Sequence, residues 1–357
     1  MIKNVLITGG AGFIGNALVR KLLIDSDYKI FNLDKLINRS DLSSIDNLIA
    51  LQNNKFNERY TFFHADLLEI NQINEAFEKS NPDLVFHLAA ETHVDRSIDS
   101  PMEFLSNNII GTYNLLEAAK KHFKSLKDKR KINFRFHHIS TDEVFGSLGS
   151  KGQFTENSKY NPRSPYSATK ASSDHLVNAW HYTYGLPVII TNCSNNYGPW
   201  QFPDKLIPLV ILKSLNQEAI PVYGNGLNIR DWIHVDDHIE GILLASRFGE
   251  VGKNYLIGGK NEQTNIDLIH MICNYLDKVM PQSNSYKTLI KYVADRPGHD
   301  FRYSLDSSLI RDELGWVEKK QFKESLNQTI DWYLNNLNWC KKMIEKSKYK
   351  GERIGLI

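Results

Sequence analysis

The chain has 357 residues, 41% hydrophobic and 24% charged, which is ordinary globular composition with room for one large or two modest domains. Lys and Arg total 43, Asp and Glu 41, so the net charge of +2 gives no electrostatic reason to expect nucleic acid or an anionic membrane as partner. The three cysteines (Cys193, Cys273, Cys340) are scattered without a CxxC pair, and no apolar run approaches the roughly 18 residues of a membrane span. They read as reduced thiols, which excludes a disulfide frame or a zinc site. The N-terminus runs straight into a strand-like segment, which argues against a signal peptide and for a cytoplasmic protein.

In chain order, Asn4–Thr8 reads as the first strand and Phe13–Ile24 as the first helix. Between them Gly9, Gly10, Gly12 and Gly15 satisfy both GxGxxG and GxxGxxG. Glycines at such a strand-to-helix turn let a pyrophosphate approach the backbone, and the helix N-terminus then faces it. A tight structural turn would need the same glycines, but the flanking strand and helix favour dinucleotide binding.

Lys29–Leu33 is the next strand, closed by Asp34, nineteen residues beyond Gly15. A carboxylate there can accept both ribose hydroxyls and repels a 2′-phosphate, which favours NAD over NADP. Arg39 weakens that preference, because it could pair with the extra phosphate. Asp66 and Leu67 follow a third strand, at the usual place of an adenine. Ile70–Lys79 reads as a helix, Leu84–Leu88 as a strand, and Leu88, Ala89 and Ala90 are small enough for close cofactor approach. A helix is predicted over Met102–His122, a solvated loop over Lys124–Lys131 and a strand over Arg135–Ile139.

Ser140–Gly146 then places Asp142 and Glu143 side by side at the end of that strand. Adjacent carboxyls at a sheet mouth are costly unless hydrated, paired or used. A solvated turn is the plain alternative to an acid and a base aimed at one substrate. Pro165–Tyr184 is helical, with Tyr166 and Lys170 on one face. Sixteen tyrosines make about one chance YxxxK match expected, and this is the only one. An ammonium beside a phenol should lower its pKa, so that the phenolate can take a hydroxyl proton as hydride leaves the same carbon. Val188–Cys193 completes a β/α alternation that predicts a doubly wound parallel sheet of Rossmann type.

Beyond Asn195 the pattern loosens into turns. Strands are predicted at Ile220–Tyr223, Asn254–Ile257 and Ile290–Val293, and helices at Val235–Phe248, Ile266–Val279, Ser307–Leu314 and Phe322–Leu337. The predicted organisation is a dinucleotide domain of residues 1–195 plus about 229–260. A smaller interleaved α/β substrate domain spans about 196–228 plus 261–340, and 341–357 forms a tail.

The segments HLAAETHVDRS (His87–Ser97), HHISTDEVFG (His137–Gly146), SPYSATKASSDH (Ser164–His175), TNCSNNYGP (Thr191–Pro199), FPDKLIP (Phe202–Pro208), IRDWIHVDDH (Ile229–His238) and ADRPGHD (Ala294–Asp300) carry a resemblance. With them the chain resembles the extended short-chain dehydrogenase/reductases, and within these the dTDP-glucose 4,6-dehydratases. The resemblance implies an NAD-dependent lyase that oxidises C4 of a nucleotide glucose, eliminates water across C5–C6 and reduces C6. In that scheme Tyr166 is the base at the 4-hydroxyl, Lys170 lowers its pKa, and Thr141 bonds the 4-oxygen. Glu143 takes the C5 proton, and protonated Asp142 gives one to the departing C6 hydroxyl.

The same resemblance assigns NAD to Gly9, Gly12, Phe13, Ile14, Gly15, Asp34, Lys35, Asp66, Leu67, Leu88, Ala89, Ala90, Glu91, Thr92, Asn107, Tyr166, Lys170 and Asn196. It assigns the sugar nucleotide to Thr92, Thr141, Asn195, Lys205, Leu206, Pro221, Val222, Tyr223, Arg230, Asn265, Asp295, Arg296, Pro297, Gly298 and His299. No metal is implied, and a homodimer is, through Met102–His122 and Ser164–Tyr184. Thr92, Asn107 and Phe145 depart from the family's usual Ser, Thr and Tyr. A dehydratase of UDP- or CDP-glucose and a non-catalytic NAD-binding module remain as alternatives.

Overall fold

The computed structural model describes residues 3–52 and 56–347. Its strands are β1 (Asn4–Thr8), β2 (Lys29–Asp34), β3 (Tyr60–His64), β4 (Leu84–His87), β5 (Arg135–Thr141), β6 (Val188–Cys193), β7 (Asn195–Tyr197), β8 (Ile220–Tyr223), β9 (Ile229–His234), β10 (Asn254–Ile257), β11 (Glu262–Thr264) and β12 (Ile290–Val293). Seven of them form one sheet in the order β10-β6-β5-β4-β1-β2-β3, every neighbouring pair parallel. This is the doubly wound Rossmann-type sheet that the sequence predicts.

The apolar residues alternate between two cores, as a strand period of two requires. Val5, Ile7, Phe86 and Ile189 face one cluster, shared with helices Phe13–Asp25 and Val235–Phe248. Leu6, Val85, Val188 and Ile190 face the other, shared with helices Ile70–Ser80, Gly111–Ser125 and Pro165–Tyr184. Strand order reverses between β1 and β4, and that reversal opens a crevice at the carboxyl edge.

A third core lies under β8 and helices Leu206–Leu215, Asn265–Val279 and Phe322–Asn335, joining Ile207, Ile220, Val222, Ile272 and Ile330. β9 pairs with β7 and β11, and β8 with β12, in two small separate sheets.

Several elements differ from expectation. The helix predicted over Met102–His122 is interrupted: Pro101–Phe104 is followed by a π-helical turn, Leu105–Ile110, before Gly111–Ser125. Ser106, Asn107 and Asn108 are weak helix formers, and widened turns recur at functional sites. The Lys124–Lys131 loop holds the start of a helix, Asp128–Asn133. Helix Ser43–Leu51 was not anticipated. The tail is helical as far as Ser347, with Cys340 and Met343 buried; residues 348–357 lie outside the described residues. Among the described residues no helix is long and apolar enough to cross a membrane.

Candidate active site

One cleft opens at the carboxyl edge. It is lined by the glycine turn, the ends of β2, β4, β5 and β6, Tyr166 and Lys170 of helix Pro165–Tyr184, and the 201–205 segment. Gly9 adopts φ +76°, and a Cβ there would sit 2.6 Å from the Ala89 nitrogen. A Cβ on Gly15 would lie 2.2 Å from the Gly9 carbonyl oxygen, so helix Phe13–Asp25 rests directly on the turn. Gly12 caps that helix without a side-chain acceptor, which leaves its first-turn N–H groups available to a phosphate.

Asp34 lines the cleft, with Oδ2 accepting the Ala11 N–H at 3.1 Å and Oδ1 the Leu36 N–H at 2.8 Å. Arg39, the residue that could have welcomed a 2′-phosphate, is held by Glu91 at 2.8 Å. The cradle therefore fits NAD. Lys35 donates to Asn107 Oδ1 at 2.7 Å and approaches Asp66 at 4.0 Å. The π-helical turn thus brings Asn107 to the cleft, while Asn108 accepts the Glu91 N–H at 2.8 Å and returns a bond to its carbonyl at 3.0 Å. Asn196 accepts from His238 Nδ1 at 2.9 Å, which fixes its amide in the cleft wall. Every residue assigned to the cofactor, Leu67, Leu88, Ala90 and Thr92 included, lies in this lining.

Thr141, Asp142, Glu143, Tyr166 and Lys170 also meet here. Thr141 ends β5 and caps the short 3₁₀ turn Asp142–Phe145, accepting the Glu143 N–H at 3.3 Å and donating to Asp142 Oδ1 at 3.2 Å. Asp142 is 2% exposed, and its Oδ2 has no partner. Burial, reinforced by Glu143, pushes its carboxyl well above the ordinary range, which favours its protonated form. Burial also raises Glu143, but Arg296, Arg230 and Lys205 pull it back. Two adjacent carboxyls thereby acquire different affinities for a proton.

The phenol of Tyr166 departs from expectation. Burial and then Glu143 push it well above the ordinary tyrosine range, with the Thr141 hydroxyl opposing. Lys170 directs its ammonium to the Ile139 carbonyl at 2.9 Å and to His138 Nε2 at 3.3 Å, and burial lowers its pKa while Asp174 supports the charge. Phe145 needs no hydroxyl: its ring stacks on Phe154 at 5.3 Å inside an apolar cluster.

The sugar-nucleotide set divides. Thr92, Thr141, Asn195 and Lys205 line the cleft, whereas Leu206, Pro221, Val222, Tyr223, Arg230, Asn265, Asp295, Arg296, Pro297, Gly298 and His299 stand outside its lining. Val222 is 2% exposed, because its side chain belongs to the third core. Arg230 spends its fork on the carbonyls of Ile229 (2.8 Å) and Asp300 (3.0 Å), and stacks 4.4 Å over Tyr303. Arg296 pairs with Asp95 at 3.0 Å, and Tyr223 donates to the other oxygen of Asp95 at 2.9 Å. His299 meets Asp295 at 2.6 Å. Sequence reasoning missed His93 and Asp204, which face each other at 3.6 Å in the cleft wall, and Phe202 beside them. The FPDKLIP segment carried two of these residues, but no spacing rule singles them out.

A family model described as GDP-mannose 4,6 dehydratase matches residues 6–329. A dTDP-glucose 4,6-dehydratase of Escherichia coli is 49% identical over 367 residues, covering 99% of each chain. The solved dTDP-glucose 4,6-dehydratase of Bacillus anthracis, in complex with NAD, superposes with TM-score 0.83 at 38% identity, over 96% of this chain and 99% of that one. DesIV, the enzyme of that name from Streptomyces venezuelae, also with NAD bound, gives 0.84 at 39%, over 95% and 99%. With its Rossmann cradle, its Tyr-Lys helix and its acidic pair in one cleft, the chain belongs to the dTDP-glucose 4,6-dehydratase family of the extended short-chain dehydrogenase/reductases.

Proposed function

We propose that this chain is a hydro-lyase that converts dTDP-glucose to dTDP-4-dehydro-6-deoxy-glucose, using an NAD that is restored in each cycle. The observation that carries this reading is the acidic pair itself: Asp142, buried with an unpartnered Oδ2, beside Glu143, both in the cleft of Tyr166 and Lys170. An epimerase or simple dehydrogenase has no use for such a pair.

Tyr166 accepts the 4-hydroxyl proton, and Thr141 holds the 4-oxygen. The resulting ketone acidifies C5, where Glu143 removes a proton. Asp142 protonates the C6 hydroxyl, which departs as water, and a proton returns to C5. Bound NAD would supply a hydride acceptor at C4 and a donor at C6, and its cationic oxidised ring would favour the Tyr166 phenolate that burial and Glu143 disfavour. Gly12–Gly15 would hold the pyrophosphate, Asp34 the adenosine ribose, and Lys170 the nicotinamide ribose.

The sugar lies at Thr92, Thr141, Asn195 and Lys205. The diphosphate and base extend toward Arg296, Arg230 and Tyr223, and for this Arg230 must release its carbonyl partners. Incubating pure protein separately with dTDP-, UDP- and CDP-glucose and weighing the products tests the reading. Only dTDP-glucose should give a product lighter by one water, and loss of water from UDP-glucose alone would reassign the substrate. No turnover with any of the three would favour the binding-module alternative.

We also infer a homodimer. Met102 (69% exposed), Ile110 (51%) and Tyr113 on one helical segment, and Tyr182 (80%) and Tyr184 on the other, leave apolar surface that a second copy would cover. Light scattering at micromolar concentration should give twice the chain mass of 41.1 kDa; a monomer would contradict the inference.

A further inference from the structure

The last described helix, Leu337–Ser347, returns to the cofactor end of the molecule. Trp339 Nε1 donates to Asp41 Oδ2 at 2.9 Å, and Lys346 Nζ donates to the Ser40 carbonyl at 2.8 Å. Both partners lie in the loop after β2, whose Lys35, Ile37, Arg39 and Ser40 line the cleft. Asp41 is tied in turn to the glycine turn: its N–H donates to the Ala11 carbonyl at 2.9 Å, and its own carbonyl accepts from Asn16 at 3.1 Å. A chain of direct bonds thus runs from the C-terminal helix to the phosphate cradle.

Aromatic packing secures the far side of that chain. Trp339 sits edge-on to Trp200 at 5.2 Å and to Trp332 at 5.4 Å, and Trp200 meets Trp332 at 4.9 Å. Trp200 precedes Gln201, Phe202, Asp204 and Lys205, which also line the cleft. It holds φ +70°, and Leu36 in the cofactor loop holds φ +51°. Non-glycine residues keep such backbone only where surrounding contacts impose it. Two segments of the cleft lining therefore carry backbone strain, and Trp339 touches both, at Asp41 and at Trp200.

We propose that Trp339, through Asp41, is a positioning residue that latches the loop after β2 over bound NAD and sets how slowly the cofactor leaves. The inference rests on the NAD-recycling reading above. An enzyme that restores its cofactor every cycle gains nothing by exchanging it, so a latch with no contact to the reacting atoms has a use.

The test uses full-length protein purified with its NAD. Nucleotide content is assayed by chromatography after acid release. Dissociation is followed by dilution into alcohol dehydrogenase with ethanol, which reports free NAD as NADH. Trp339→Phe keeps a six-membered aromatic ring and loses the N–H with the rest of the indole; it should release NAD about tenfold faster, the equivalent of one hydrogen bond to a carboxylate. Trp339→Ala should exceed that and be purified depleted of NAD, with turnover rescued by added NAD. Lys346→Ala, on the exposed end of the same helix, should accelerate release about twofold to threefold.

A purely structural role for Trp339 would lower the melting temperature without changing the release rate. Folded Trp339→Phe and Lys346→Ala proteins that release NAD at the wild-type rate would overturn the latch, even if Trp339→Ala failed to fold. Wild-type protein that retains no NAD would overturn the cofactor reading instead.

Discussion

A carboxyl buried as deeply as Asp142 lowers stability at neutral pH, because the folded chain holds its proton more tightly than the unfolded chain does. Its folded pKa lies above its unfolded value, so its contribution becomes more unfavourable as pH rises beyond the ordinary carboxylate range. Asp142→Asn removes the ionisable group at nearly the same volume. It should raise the melting temperature by about 1–3 °C and lower kcat about 100- to 1,000-fold, since the proton donor to the leaving hydroxyl is gone. Calorimetry and steady-state kinetics on one preparation check both; a variant that lost stability, or kept its activity, would contradict the assignment. Glu143 differs from its neighbour because Arg296, Arg230 and Lys205 face it. All three come from segments far along the chain, which is why adjacent positions could not reveal which carboxyl is the acid.

At the scale of elements, the strand–turn–helix unit at the N-terminus separates two kinds of glycine. A Cβ at Gly15 would strike the Gly9 carbonyl at 2.2 Å, backbone against backbone, with nothing flexible to yield. A Cβ at Gly12 would meet only that oxygen, at 3.2 Å, while facing the cleft. Gly15→Ala should therefore push helix Phe13–Asp25 off the sheet, costing several degrees of melting temperature as well as the cofactor. Gly12→Ala should keep the fold and weaken NAD binding. Melting curves and NAD content distinguish the two, and equal melting losses would refute the distinction. Helix Pro165–Tyr184 shows how well a strongly signalled element can be read. Ser164 and Ser167 close a capping box, Pro165 opens the first turn, and Gly185 ends the helix at φ +69°, so its predicted limits match the observed ones. The Met102–His122 segment carried the same apolar periodicity, but the widening at Leu105–Ile110 depends on Asn108 reaching Glu91 and Thr169, partners that periodicity does not report.

The whole molecule buries an unusual set of neutral histidines. Burial holds His137 and His238 down at about 3, and His138 and His299 down at about 4, against 6.5 for an exposed imidazole. Below pH 6.5 the unfolded chain binds protons that the folded chain refuses, so each histidine's contribution to stability is present above that pH and lost as pH falls toward 4. Asp231, raised by burial to about 6, acts in the opposite sense, as do Asp142 and Glu143, three groups against the four imidazoles. The melting temperature should fall by several degrees between pH 7.5 and pH 5 in buffers of equal ionic strength; a flat profile would show these imidazoles to be solvated. His138 of β5 meets Lys170 of helix Pro165–Tyr184, His137 joins β5 to Thr191 of β6, and His238 joins its helix to Asn196 of β7.

By itself the sequence determined the parallel sheet, the glycine cradle, the Tyr-Lys helix and the acidic pair. Each is written in local spacing: alternating apolar strands, glycines at a turn, side chains four apart on a helix, neighbours at a strand end. Tertiary structure alone decided the rest. It turned Arg39 to Glu91 and so away from a 2′-phosphate, gave Asp142 and Glu143 different acidities, spent Arg230 on backbone carbonyls and drew Val222 into a core. It also brought Trp339 back to Asp41 across nearly the whole chain. The physical reason is common to all of these: a charge, a proton or a hydrogen bond answers to what is near it in space and shielded from water, and those neighbours are brought together only by folding.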